Sequence, residues 1–333
     1  MKYMIKNSIN VFFEEKTLVL NDTINKKVYK IHNNNSEFQY VINSLIDGKC
    51  EIENNIDKVK FDAYIEILKS KGLLRDRYEN KYKNTIYEKQ IDFFSNFVSD
   101  PNEIPKILKN KKIVIIGIGG VGCIAIQHLI SCGVKNLIFI DNDIVNESNL
   151  NRQYCYNKKQ VGMSKIEAIK SYINDLDMNI SAKFYKNFIN STEDLKNILA
   201  SEENIDFILQ CADRPSIKIK NYALKYAMET DIPISFIGIG VYDGFWGPLL
   251  DKKDEMIKFY KYNKEMLSKI RSLSDITTSS IGFTNSIVTS FFIKDVIMYL
   301  IGINKVSSKN KILQINFDTN SISEVLNIRK ITL

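Results

Sequence analysis

Apolar residues follow two different rhythms along this chain, and the change between them comes at Lys111. Ahead of it, Val11-Phe12-Phe13 and Thr17-Leu18-Val19-Leu20 are short apolar runs that read as strands, followed by the turn signal Asn21-Asp22. Phe38, Val41, Ile42, Leu45 and Ile46 then recur at helical spacing, and Asp47-Gly48 predicts the stop, because glycine tolerates a left-handed C-cap. A second helix carries Phe61, Tyr64, Ile65 and Leu68 on one face and ends at Lys71-Gly72-Leu73-Leu74. Residues 1–76 are therefore expected to form a small winged-helix-like α+β domain. Residues 77–110 are polar, and Ile86, Ile91, Phe93, Phe94 and Phe97 predict a docking helix in a segment that connects to the main domain.

Residues 111–333 read differently. Ile113-Val114-Ile115-Ile116 is continuously apolar, as a strand buried on both faces must be. A glycine-rich turn and a helix, Gly119 to Ser131, precede a second such strand, Leu137-Ile138-Phe139-Ile140. Further strands are expected at 180–185, 206–209 and 232–237, with helices near 158–175, 191–200 and 215–229. This alternation predicts an α/β fold: a Rossmann-like, mostly parallel sheet with helices on both faces. The longest apolar stretch, Phe283 to Ile303, contains Lys294 and Asp295. A bilayer span takes about 20 apolar residues, so this one is expected to be a buried helix.

Composition narrows the classes. With 44% hydrophobic and 26% charged residues the chain is expected to be soluble and globular. The net charge of +7 fits solvated basic faces, or attraction for a polyanion such as a nucleoside triphosphate. The five cysteines, Cys50, Cys123, Cys132, Cys155 and Cys211, are odd in number and contain no C-x-x-C pair. That argues against a disulfide framework or structural zinc, and for a reducing cytoplasm. The start, Met1 to Asn7, lacks the apolar core of a secretion signal. The N-terminal helices show no arginine-lined face, so neither nucleic acid nor membrane is expected as a partner.

The chemistry-bearing residues begin with Gly117-Ile118-Gly119-Gly120-Val121-Gly122, a G-x-G-x-x-G pattern between a strand and a helix. Such a loop turns tightly, approaches phosphate closely and aims helix N-terminal N–H groups at negative charge. Asp141 ends the next strand, at the spacing of a ribose-binding acid. By itself this fits a nicotinamide or flavin enzyme equally well. The residues that follow separate the two: Asp141-Asn142-Asp143, then Asn149-Leu150-Asn151-Arg152-Gln153, then Val161-Gly162-Met163-Ser164-Lys165, and a strand ending in Cys211-Ala212-Asp213-Arg214-Pro215. Taken singly, Asp141 and Asp213 fit a strand end and a helix cap, and Arg152 and Lys165 fit surface cations.

In this order, the set resembles the ubiquitin-activating-enzyme-like (ThiF-type) adenylating superfamily over residues 80–333. The resemblance implies ATP and Mg²⁺ as cofactors. It implies that Gly117, Gly119, Gly120 and Gly122 form the nucleotide loop and that Asp141 and Asp143 belong to its D-x-D motif, with Asp141 holding the ribose. It further implies that Asn149 and Arg152 contact phosphates, Gln153 supports the site, Lys165 bridges phosphates and Asp213 binds magnesium. Arg152, Lys165 and Asp213 are thereby the catalytic set. The superfamily also places an arginine ahead of the glycine loop, reaching ATP across a homodimer interface; here the matching residue is Lys89, which keeps the charge and loses the bidentate fork.

Further segments bear on the substrate. Cysteine is absent after Cys211, where superfamily members that form a thioester or bind zinc carry theirs, so the chemistry is expected to stop at an activated or nucleotide-linked product. Asp213-Arg214-Pro215 and Phe245-Trp246-Gly247-Pro248-Leu249 look like the microcin C-type peptide nucleotidyltransferases, as does a clamp domain ahead of the adenylation domain. That resemblance implies a small ribosomally made peptide as substrate, adenylated at its C-terminus. It also implies closure of a terminal asparagine to a succinimide and capture of that nitrogen by a second ATP. Three alternatives stand beside it: a non-catalytic peptide-presenting partner of a cyclodehydratase, a sulfur-carrier-protein adenylyltransferase, and a nicotinamide oxidoreductase. The last leaves Asn149 to Gln153 unexplained.

Overall fold

The computed structural model describes residues 3–14, 17–32, 35–47, 56–216, 218–269 and 280–331. The expected glycine stop at Gly48, and Cys50, lie outside them. The chain divides into two compact units that meet at Ile104 and Pro105.

The N-terminal unit contains β1 (Tyr3–Ile5), β2 (Ile9–Glu14), β3 (Thr17–Asp22), β4 (Lys27–His32), α1 (Ser36–Asp47), α2 (Lys58–Ser70), β5 (Leu74–Asp76) and α3 (Glu88–Phe94). Strands β2, β3 and β4 form one antiparallel sheet and β1 pairs with β5 in another. Phe38, Val41, Ile42 and Leu45 of α1 meet Phe61, Ile65 and Leu68 of α2 in a core that also takes Leu18 and Leu20 of β3. The spacing of these apolar residues is what selects those helix faces. Gly72, at φ +69°, turns the chain out of α2. The expected docking helix is shorter than its five apolar residues suggest: Ile91 and Phe94 are buried, whereas Ile86 and Phe93 are exposed. Residues 77–104 pack within this unit, with the Arg75 guanidinium donating to Ser95 Oγ at 2.8 Å.

The second unit begins at Pro105, within α4 (Ile104–Asn110). It continues through β6 (Lys112–Ile116), α5 (Gly120–Cys132), β7 (Asn136–Ile140), α6 (Lys165–Asp175), β8 (Ser181–Tyr185), α7 (Thr192–Ile198), β9 (Phe207–Gln210) and α8 (Lys218–Thr230). It closes with β10 (Ile234–Ile239), β11 (Asp243–Trp246), α9 (Lys253–Lys269), α10 (Gly282–Leu300), β12 (Lys311–Asn316) and β13 (Ile322–Asn327). The eight strands form one sheet in the order β13-β12-β11-β10-β9-β6-β7-β8. From β10 to β8 every pairing is parallel, and from β10 to β13 every pairing is antiparallel.

Side-chain alternation distributes the helices over both faces, as expected. Val114, Ile138 and Ile208 face a core shared with α7, α8 and α9, while Phe207, one residue away from Ile208, packs its ring on Tyr299 of α10 at 5.6 Å. The apolar stretch at 283–303 becomes α10, which packs on α5. Its buried Asp295 accepts the backbone N–H groups of Ser307 and Ser308 and pairs with Lys294 at 3.0 Å. Among the described residues, no helix is long and apolar enough to cross a membrane.

Candidate functional site

Register places the functional loops at one edge of the sheet. Ile116 of β6 is opposite Ile140 of β7 on one side and Gln210 of β9 on the other. The residues after these strand ends are Gly117, Asp141 and Cys211. The chain leaves β6 for β7 on one side and later returns to β9 on the other, so a crevice opens where the two connections diverge. A cleft of about 550 Å³ lies there, lined by the glycine loop, Asp141 to Ile144, Asn149, Arg152, Gln153, Lys165 and Cys211 to Arg214.

The glycine loop is held from two sides. The buried Ile118 N–H donates to Asp141 Oδ2 at 2.7 Å, and the Tyr156 hydroxyl donates to the Ile118 carbonyl at 2.9 Å. Gly117 sits at φ +91°, and a Cβ there would lie 2.7 Å from the backbone nitrogen of Ala212. Helix α5 starts at Gly120, so its first N–H groups have no intrahelical acceptor and face the cleft end of the strand. Gly119 and Gly120 line the cleft. Gly122 does not; its expected role in the loop is a packing one, because a Cβ on Gly122 would collide with the Gly117 carbonyl oxygen. Gly122→Ala is therefore expected to lower stability by about 1–3 kcal/mol through overpacking and to weaken ATP binding by displacing the loop. A urea titration and calorimetric ATP binding check this; an alanine variant equal to wild type in both contradicts it.

Asp141 is nearly buried, and its second oxygen accepts the Asp143 N–H at 2.8 Å. Burial pushes its carboxyl above the ordinary carboxylate value, while Lys165 and the two backbone donors pull the other way. Lys165 occupies the first turn of α6, behind a Ser164–Glu167 capping box, and is itself buried. Its ammonium pairs with Asp143 at 2.9 Å. Asn149 accepts the Asn146 N–H in a reciprocal cap of its short 3₁₀ turn, which fixes the segment carrying Arg152 and Gln153. Arg152 Nη1 donates to the Ser148 carbonyl and to Asn151 Oδ1 at 2.7 and 2.9 Å. Gln153 is buried, lines the cleft, and its Oε1 has no donor among the described residues. Asp213 is exposed at the cleft wall, in the loop between β9 and α8.

The structure thus brings together Gly117, Gly119, Gly120, Asp141, Asp143, Asn149, Arg152, Gln153, Lys165 and Asp213. Lys89 belongs to α3 of the N-terminal unit, where it is exposed and pairs with Glu88 at 3.5 Å. Cys211 lines the cleft, and burial pushes its thiol far above the ordinary value, which suppresses the nucleophilic thiolate. The cleft also takes residues that the sequence did not single out, Asn285 and Lys220 among them. Asn285 of α10 points its Oδ1 at Gly120, 2.8 Å from where a Cβ would be, and Lys220 of α8 lines the opposite end. A buried asparagine inside an apolar helix was the available signal for the first.

A sequence model of the ThiF family matches residues 87–331. The chain belongs to the ThiF family. Every residue lining the cleft lies within the stretch that the ThiF model matches. Among curated proteins it is similar to the adenylyltransferase and sulfurtransferase UBA4 of Vanderwaltozyma polyspora, 35% identical over 40% of this chain and 29% of that protein. The Saccharomyces cerevisiae UBA4 is 37% identical over 32% of this chain and 24% of that protein. The chain thus spans less than a third of the length of these relatives. Among solved structures, E. coli MccB with ATP superposes with a TM-score of 0.74 at 20% identity, over 98% of this chain and 97% of that one. MccB in complex with N-formylated MccA gives 0.73 at 20% identity over the same shares. The PaaA structure gives 0.70 at 20% identity, over 96% of this chain and 98% of that one. These likenesses establish an MccB-like fold.

Proposed function

We propose that this chain is an ATP-dependent adenylyltransferase that activates the C-terminal carboxylate of a small ribosomally made peptide. The observation that carries the reading is the convergence of the glycine loop, two cations and a free-standing carboxylate on one cleft at the sheet's switch point. Arg152 and Lys165 would neutralise phosphate oxygens at close range, where fixed charge is most effective. Asp141 lines the cleft, and each of its oxygens can accept one more hydrogen bond, which suits ribose hydroxyls. A carboxylate oxygen of the peptide attacks the α-phosphorus, the bond to the bridging oxygen breaks, and pyrophosphate departs with the electron pair. No proton moves in that step.

The residues suit magnesium. Mg²⁺ is commonly held by one or two carboxylates together with substrate phosphates, and Asp213 lines the cleft with its carboxylate uncommitted among the described residues. When bound, the ion would shield the phosphate charge.

The peptide class is supported by a likeness to MccB that runs over both units, N-terminal unit included. In this reading residues 1–76 act as the peptide clamp ahead of an adenylation domain, and the chain works as a homodimer to which Lys89 contributes across the two-fold. Incubation of the full chain with α-³²P-ATP, Mg²⁺ and short peptides ending in asparagine tests it. Label should pass to peptide with release of pyrophosphate. Label on a Gly-Gly-ended carrier protein, with none on any peptide, would transfer the reading to a sulfur-carrier adenylyltransferase. Light scattering is expected to give twice the chain mass; a fully active monomer contradicts the dimer.

A further inference from the structure

The cleft is also lined by a lysine that stands apart from Arg152 and Lys165. Lys220 lies in the first turn of α8, and its ammonium is 3.8 Å from the point a Cβ on Gly238 would occupy, near the C-terminal end of β10. The adjacent cleft wall is Ile219, Ile237 and Ile239. Among the described residues no carboxylate lies within ion-pair distance of this amine and no acceptor within hydrogen-bond distance. Lysine normally extends its charged end into water. Here the residue is half-buried, its amine lies beside Gly238 of β10, and partial burial pulls its pKa below the ordinary lysine value. A half-buried ammonium with no counter-ion among the described residues is suited to an anion that arrives with a ligand.

Position says which anion. The glycine loop, Asp141, Arg152 and Lys165 gather at the β6 and β7 ends, whereas Lys220 stands over β10, on the far side of β9. Asp213, in the loop after β9, comes between them in the strand order. Gly238 has no side chain to fill the space beside the amine. A nucleotide seated on the glycine loop leaves this end of the cleft for the second reactant, which in a carboxylate adenylation is also an anion. We propose that Lys220 is the docking group for the acceptor's terminal carboxylate, holding it over the β9–β10 edge beside Asp213. This rests on ATP occupying the glycine-loop end.

The sign of the pH dependence follows. Docking needs the charged amine, and burial favours the neutral one. Carboxylate affinity is therefore greatest below the depressed pKa of Lys220 and falls as pH rises through it.

The test uses the full chain with Mg²⁺ and α,β-methylene-ATP, which prevents turnover. N-acetyl-asparagine serves as the smallest acceptor acid and N-acetyl-asparaginamide as its uncharged control. Acylation of Lys220 by acetic anhydride is followed by peptide mass spectrometry. With the acid at ten times its Kd, acylation of Lys220 is expected to slow about tenfold, while the amide leaves the rate unchanged. Equal protection by acid and amide, or by neither, overturns the assignment. Lys220→Met is expected to keep α,β-methylene-ATP affinity within about twofold, less than the 1.4 kcal/mol of a tenfold change, and to lose the acid; Lys220→Arg should retain part of it. A large loss of nucleotide affinity in Lys220→Met would instead make the amine part of the phosphate site and sink the proposal. Failure of the wild-type chain to bind α,β-methylene-ATP removes the adenylation reading itself, an outcome separate from the others.

Discussion

Asp213→Ala is expected to cut ATP-dependent pyrophosphate release by about 10³-fold or more, since a metal ligand at a phosphoryl centre contributes several kcal/mol and each 1.36 kcal/mol is tenfold. The same change should leave the fold nearly untouched, because Asp213 is exposed and its carboxylate holds no hydrogen bond among the described residues. Surface substitutions of that kind usually stay within about 0.5 kcal/mol. Two measurements separate the outcomes: pyrophosphate release with Mg²⁺, and the urea midpoint. Retained turnover would remove Asp213 from the metal role. Loss of turnover with a collapsed midpoint would mean that the loop after β9 needs the carboxylate for its own conformation.

Asp141→Ala should do the opposite and strike stability first. Its two oxygens satisfy the Ile118 and Asp143 N–H groups, the former buried, and so tie β7 to the glycine loop. A hydrogen bond to a charged group contributes about 1.5–3 kcal/mol. Part of that is offset here, because burial already disfavours the carboxylate and raises its pKa. A net loss of about 2–4 kcal/mol is expected, together with loss of ATP binding. Asp141→Asn can accept only one of the two N–H groups and should fall between. An alanine variant with the wild-type urea midpoint would show that the loop is held by other contacts, such as the Tyr156 hydroxyl. The pH dependence has a defined sign. A folded pKa above the unfolded one adds to stability at low pH and withdraws that contribution as pH rises through the folded value. The advantage of wild type over Asp141→Asn should therefore shrink across that range.

Much of the site could be read from the chain because its parts sit at strand ends. Gly117, Asp141 and Asp213 each follow a strand with both faces buried, and a parallel sheet aligns the C-terminal ends of such strands. What was not legible depended on partners far away in the chain. Asn285 meets Gly120 across more than 160 residues because α10 packs on α5. Asp141 was expected at the ribose, and its two backbone bonds could not be inferred without the path of the loop. Gly122 carries no cleft surface; its missing side chain makes room for a carbonyl. Helix α9, with only Met256 and Phe259 buried on a charged background, and the β12–β13 hairpin, half exposed, give weak periodic signals.

The chain's own order of residues determined the α/β class, the turn at Gly117 and which polar groups stand at strand ends, since backbone preference and burial period act over a few neighbouring residues. Tertiary structure alone decided that β9 lies beside β6 and that three antiparallel strands extend the sheet. It alone brought Asn285 and Lys220 to the cleft from α10 and α8. Those adjacencies come from packing energy spread over many apolar contacts, and no short stretch of sequence contains it.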